Sequence, residues 1–82
     1  MVVRVLYFAG LKEALGCSGE SVALPEGVTT LGALRAHLIA GGREALATTK
    51  NLRMAVNQEM AKAEAGIADG DEVAFFPPVT GG

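Results

Sequence analysis

Asp69-Gly70-Asp71-Glu72-Val73-Ala74-Phe75-Phe76-Pro77-Pro78 contains, in order, a turn, a strand and a stop. The Asp-Gly-Asp run is a strong turn signal, and the β-branched and aromatic residues after it predict a strand over 72–76. Pro77 and Pro78 then fix φ near about −65° and bring no N–H, so strand pairing cannot continue through them. Pro78 also pushes Pro77 towards an extended conformation. Adjacent Phe75 and Phe76 must point to opposite faces of whatever sheet this strand joins.

The other end of the chain matches this one. Val2 to Ala9 is a nearly continuous apolar run of Val, Leu, Tyr and Phe, predicting a strand in a central position that ends at Gly10. Two strongly apolar strands, one at each end of the chain, form the natural central pair. Placed side by side they run parallel, and the intervening chain is long enough for the crossover.

Between them the punctuation is clear. Leu11 to Leu15 predicts a short helical turn stopped by Gly16, and Glu20 to Leu24 a strand that folds back on the first. Pro25-Glu26-Gly27 is a turn. Thr29 or Thr30 caps the main helix, whose apolar face is Leu31, Leu34 and Leu38, and Gly41-Gly42 ends it. Gly32 weakens the first turn by roughly 1 kcal/mol relative to Ala, so tertiary packing must hold this helix. Arg43 to Thr49 reads either as another helical turn or as a loop. Leu52 to Asn57 is a third strand, Gln58-Glu59 a turn, and Met60 to Ala65 a weak edge strand or irregular stretch.

These elements define an α+β fold, a mixed sheet of four to five strands with one main helix on one face. The domain spans 1–76, and 77–82 is an extended C-terminal tail. The chain has 82 residues, of which 50% are hydrophobic and only four are aromatic (three Phe, one Tyr). A chain of this length buries only about 60–65% of its unfolded surface, so Val, Leu and Ala must fill the core efficiently. A net charge of −2 without a basic run leaves nucleic-acid binding no electrostatic footprint. No apolar stretch approaches the roughly 20 residues of a membrane span. The single cysteine and the absence of a signal-peptide pattern point to the cytoplasm.

The β-β-α-β-β order ending in Gly81-Gly82 resembles the ubiquitin-like β-grasp sulfur carriers. Residues 69–82 are especially similar to the small subunits of molybdopterin synthases, as are Arg4 to Ala9, Leu34 to Leu38 and Met54 to Gln58. The diglycine alone is a weak signal. Joined to the Asp-Gly-Asp turn, the strand and Phe-Phe-Pro-Pro, it is highly specific.

The resemblance implies a carrier that is non-catalytic alone and whose reacting atom sits on the carboxyl of Gly82. It implies an adenylating partner of the ubiquitin-activating type that uses ATP, a sulfurtransferase system that makes a thiocarboxylate, and a large synthase subunit. There, sulfur passes to a cyclic pyranopterin phosphate to build molybdopterin. The family arrangement is a heterotetramer of two small and two large subunits. Sulfur carriage in another pathway, such as thiamine synthesis, and ubiquitin-like modification of lysines are the alternatives. The stretch before the diglycine does not resemble thiamine carriers.

The chemistry suits these residues. A carboxylate resists nucleophiles until adenylation gives it a good leaving group. Any Cβ at Gly82 would widen the tail at the reacting centre, and Gly81 tolerates positive φ. The tail from Phe76 to Gly82 reaches about 20 Å at ~3.3–3.6 Å per residue, enough to cross a buried tunnel. Pro77 and Pro78, followed by Val79 and Thr80, limit the entropy lost on insertion. The chain has no phosphate-binding glycine loop, so no cofactor is expected on it and ATP belongs to the partner.

Other residues have competing readings. Cys17 is a rival sulfur site, though no Lys, Arg or His adjoins it in sequence to activate the thiol. His37 has no companion ligands, and no metal site is expected. Asp69, Asp71 and Glu72 read as a solvated turn. Phe8, Phe75 and Phe76 suit a strand core, but a single helix covers one face only. Phe76 is therefore expected to face a partner, and Phe8 is a further partner-binding candidate. Lys12 falls where the resembled family carries a basic residue towards the large subunit; a solvated charge is the other reading.

Overall fold

The computed structural model describes residues 1–78. Five strands are formed: β1 (Val2–Tyr7), β2 (Gly19–Ala23), β3 (Arg53–Val56), β4 (Glu59–Ala61) and β5 (Glu72–Phe76). They make one mixed sheet in the order β2-β1-β5-β3-β4. The two end strands are the interior pair and run parallel, with Val5 opposite Val73 and Tyr7 opposite Phe75. The remaining neighbours, β1 with β2, β3 with β5 and β3 with β4, are antiparallel. This is the β-grasp arrangement that the terminal apolar runs require.

Three helices cover one face: α1 (Gly10–Leu15), α2 (Leu31–Ala40) and α3 (Ala45–Thr48). Gly16 stops α1 in the left-handed region at φ 75°, its N–H donating to the Lys12 carbonyl. Thr30 caps α2, its side chain accepting from the Ala33 N–H at 3.2 Å. Gly32 has a packing reason. Its N–H donates to the Ala63 carbonyl at 2.9 Å, and an added Cβ would lie 3.3 Å from both the Ala63 oxygen and Cβ. The close approach of this loop replaces the helix propensity that Gly32 gives up. Arg43 to Thr49, ambiguous in sequence, holds α3, which Arg35 ties to α2 by donating Nε and Nη2 to the Leu46 carbonyl at 3.0 and 2.6 Å.

Strand parity sets the core. Val3, Val5 and Tyr7 from β1 and Val73 and Phe75 from β5 are buried against Leu31, Leu34 and Leu38 of α2, with Leu11 and Leu46 closing the sides. Tyr7 and Phe75 stack with ring centroids 6.3 Å apart. Even-numbered β1 and β5 residues face the opposite, helix-free side.

Two turns differ from expectation. The β3–β4 turn is Asn57-Gln58 rather than Gln58-Glu59, with φ of 50° and 70°, and Glu59 already pairs with Val56. Two consecutive left-handed residues match the twist of a two-residue hairpin, and Asn tolerates that region better than most. The Asp69-Gly70-Asp71 turn is also more than solvated charge. Asp69 Oδ1 accepts from the Val2 N–H at 2.7 Å, and Asp71 accepts from the Ala68 N–H at 2.8 Å and Asn57 Nδ2 at 3.1 Å. These carboxylates satisfy backbone N–H groups at the start of β1 and in the turn before β5.

One polar cluster edges the core. The Tyr7 hydroxyl donates to Glu20 Oε2 at 2.6 Å, and Arg43 Nε donates to the same oxygen at 3.1 Å while Nη2 binds Oε1. Burial, reinforced by the bond to Glu20, raises the Tyr7 pKa, so the hydroxyl remains a donor. The Arg43 hydrogen bond holds the Glu20 carboxyl below its ordinary value of 4.5. A carboxyl whose folded pKa is depressed stabilises the fold above its unfolded value and loses that contribution as pH falls through the folded one. Thermal unfolding should therefore show wild-type stability declining with acid from about pH 4.5 downwards. Glu20→Gln should melt lower at neutral pH and depend less on pH below that point. Parallel pH curves would remove Glu20 from this role.

Candidate functional site: the tail end of the sheet

The parallel pairing of β1 and β5 brings their C-terminal ends to the same edge of the molecule. β5 ends at Phe76, followed by the half-buried Pro77 and Pro78. Val79, Thr80, Gly81 and Gly82, the expected reacting segment, lie outside the described residues.

Around Pro77 the geometry is specific. The Phe8 N–H donates to the Phe75 carbonyl at 3.2 Å, carrying the β1–β5 pairing one step past the strand. Phe8 and Phe76 thus sit side by side on the helix-free face, edge to face, with centroids 6.5 Å apart. Phe8 is 47% exposed and Phe76 half-buried, whereas Phe75 is 0% exposed. Of the three phenylalanines, Phe75 alone belongs to the core. After Phe8 the chain turns sharply: the Leu11 N–H donates to the Phe8 carbonyl at 3.1 Å, with Ala9 at φ 52°, ψ −129°. That turn launches α1 and places Lys12, exposed, on it.

The same face continues across the sheet. Leu6 pairs with Ala74, Ala74 with Ala55, and Ala55 with Met60. Two central alanines make a shallow floor, bounded by Leu6 and by Met60, which is 58% exposed. Arg53 lies opposite Phe76 and lines, with Met54, Met60, Ala61 and Lys62, a groove of about 280 Å³. Sequence reasoning missed Met60, Arg53 and Lys62. Their only signal was strand parity on a short, weakly marked edge strand, which cannot be converted to position without the register.

Cys17 lies on the other side of the sheet, next to β2. It packs against the core and lines a second cavity, also about 280 Å³, with Leu15, Glu20, Gly41, Gly42 and Arg43. Arg43 is thus near it in space though not in sequence, but its guanidinium is engaged by Glu20. One strand, β1, separates β2 beside this cavity from β5 and Pro77 in the sheet order. Among the described residues no group of three or more His, Cys, Asp or Glu could hold a metal ion.

The arrangement is a small-domain platform whose last strand leads into Pro77 and Pro78 beside the exposed Phe8 and the half-buried Phe76. The ThiS family matches residues 5–82. The Molybdopterin synthase sulfur carrier subunit of Escherichia coli (strain K12) is 45% identical over 99% of this chain and 100% of its own. Among solved structures, H. volcanii small archaeal modifier protein 1 superposes with a TM-score of 0.78 at 28% identity, covering 95% of this chain and 98% of that one. A chain of the complex of subunits 1 and 2 of Molybdopterin-converting factor from Helicobacter pylori 26695 gives a TM-score of 0.69 at 25% identity, with 100% of both chains covered. With its β-grasp sheet and a full-length match to such a carrier, this chain belongs to the ThiS family, among the molybdopterin synthase sulfur carrier subunits.

Proposed function

We propose that this chain is the sulfur-carrying small subunit of a molybdopterin synthase and acts through the α-carboxylate of Gly82. The carboxylate attacks ATP bound by an adenylating partner, giving an acyl-adenylate and releasing pyrophosphate. Sulfur supplied by a sulfurtransferase system displaces AMP and leaves a thiocarboxylate. The charged tail then enters the large subunit, where the soft anionic sulfur attacks a cyclic pyranopterin phosphate; two deliveries complete the dithiolene. General acid and base groups come from the large subunit, and this chain contributes the reagent, its reach and its docking face.

The observation that carries this reading is the Phe8–Phe76 pair on the helix-free face beside Pro77, Phe8 exposed and Phe76 half-buried, at the point where β5 ends. Exposed aromatics are costly on a monomer surface and typical of the anchors of protein interfaces. Docking there would hold the body outside while Pro77, Pro78, Val79 and Thr80 lead Gly81-Gly82 inwards. Lys12 would lie at the rim of the same contact. The Helicobacter pylori complex supports a large-subunit partner, since its small component shares this fold over the whole chain.

A second reading is kept alive by the likeness to a small archaeal modifier protein. Both readings begin with adenylation of the terminal carboxyl and part afterwards. Incubating the thiocarboxylate form with the large subunit and the pyranopterin precursor should yield dithiolene product. Lysine conjugates without that product would favour the modifier, and a charged tail with neither outcome would favour a carrier for another pathway such as thiamine synthesis.

A further inference from the structure

The chain carries seven Lys and Arg residues, and their positions are not random. Arg43 is bound to Glu20, and Arg35 to the Leu46 carbonyl, both towards the helical layer. Arg4, also exposed and without an ion pair among the described residues, lies away from the tail end, level with the start of β5 at Glu72. The other four, Lys12, Lys50, Arg53 and Lys62, are all exposed and all belong to segments at the tail end of the sheet. Arg53 begins β3 opposite Phe76, Lys62 follows the last residue of β4, Lys50 lies in the turn entering β3, and Lys12 is on α1 just after β1. Among the described residues, the Arg43–Glu20 pair is the one ion pair, so none of these four has an acidic partner within 4.0 Å.

The acids are placed oppositely. Glu59 opens β4 at the far hairpin, Asp69, Asp71 and Glu72 gather at the start of β5, and Glu26 follows β2 at that same end. Asp69 and Asp71 are fixed there by their backbone bonds. Glu13, Glu44 and Glu64 lie on the helices or in the loop after β4, outside ion-pair distance of the four cations. The tail end of the sheet thus carries Lys12, Lys50, Arg53 and Lys62, with Glu13 beside Lys12 on α1 and Glu64 two residues after Lys62, while Glu26, Glu59, Asp69, Asp71 and Glu72 lie at the opposite end.

We infer that this positive rim, centred on Arg53 and Lys62, docks onto a carboxylate-bearing rim around the tail-accepting mouth of the large synthase subunit. The inference rests on the carrier reading and extends it to orientation. Cations left unpaired beside an aromatic anchor favour an acidic counterpart, whose field turns the incoming carrier tail-first and raises the productive encounter rate. The groove that Met60 borders between the two cations would take an apolar side chain from the same segment.

The test is stopped-flow association of the full-length chain with the large subunit across a salt series, using wild type, Arg53→Gln/Lys62→Gln and Arg53→Glu/Lys62→Glu. The positions are exposed, and unchanged melting temperatures would certify the fold. For wild type, the association rate should fall as salt rises. It should drop roughly tenfold in the Glu variant at low salt, with the Gln variant between, and converge at high salt. Equal rates and equal salt dependence for all three would overturn the acidic rim, as would faster association of the Glu variant. Charge reversal that lowers self-association while sparing large-subunit binding would assign the rim to a second copy and overturn it equally. No association even by wild type would overturn the carrier reading together with this one.

Discussion

Deleting Gly82, or appending one residue after it, should reduce sulfur delivery by at least about a hundredfold while leaving the melting temperature nearly unchanged. The buried core among the described residues runs from Val3 to Phe75, so unfolding reports on a different part of the molecule from the one changed. One residue displaces the terminal carboxyl by ~3.3–3.6 Å along an extended chain. Reaction needs the partners within about 3–3.5 Å and aligned, so such a displacement removes the productive geometry altogether. Dithiolene formation with the large subunit, measured from the thiocarboxylate forms, and calorimetry on the same preparations would check both halves. Full activity in the truncated chain would redirect attention to Cys17, the other sulfur-bearing candidate.

The second large effect separates two neighbours. Phe75→Ala should cost about 3–5 kcal/mol, because the ring is fully buried against Tyr7 and the α2 leucines and leaves a cavity. Small domains have total stabilities of only about 0.05–0.15 kcal/mol per residue, so this variant would be near unfolding at ordinary temperature. Phe76→Ala should behave otherwise. It gives up the edge-to-face contact with Phe8, about 0.5–1.5 kcal/mol, and keeps the fold. Its loss should appear as large-subunit affinity reduced by roughly thirtyfold, the scale of an interface anchor. Denaturant titration paired with a binding isotherm distinguishes the two. Equal destabilisation by both changes, or normal binding by Phe76→Ala, would contradict the assignment of faces.

Much of this architecture could be read from residue order. The two terminal apolar runs required a parallel central pair, and that pair is present. Thr30, the Leu31/Leu34/Leu38 face and Gly16 behave as local rules predict, since capping and helix periodicity depend only on near neighbours. Phe75 and Phe76 were assigned to opposite faces by strand alternation, and the exposed face followed from having one helical layer.

What sequence withheld depends on pairings distant along the chain. Glu20 and Arg43 are joined across the edge of the core by a register that local pattern does not encode. Arg53 stands beside Phe76 because β3 is antiparallel to β5 with that offset, and a shift of one residue would send it to the other face. The clustering of cations around the tail exit is therefore a property of topology, invisible in a chain with no basic run. Phe8 was ambiguous for a related reason: one residue past β1, its exposure depends on the turn that Ala9 makes.

The claim on which the rest depends is that the protein's terminal carboxyl group becomes the sulfur-bearing atom. Intact-protein mass spectrometry after incubation with the adenylating enzyme, ATP and a sulfur donor measures it directly, with fragmentation to place the change. The account predicts replacement of one oxygen by sulfur, localised to Gly82 and retained in a Cys17→Ser variant. A sulfur adduct localised to Cys17, with the Gly82 carboxyl unaltered, would contradict it.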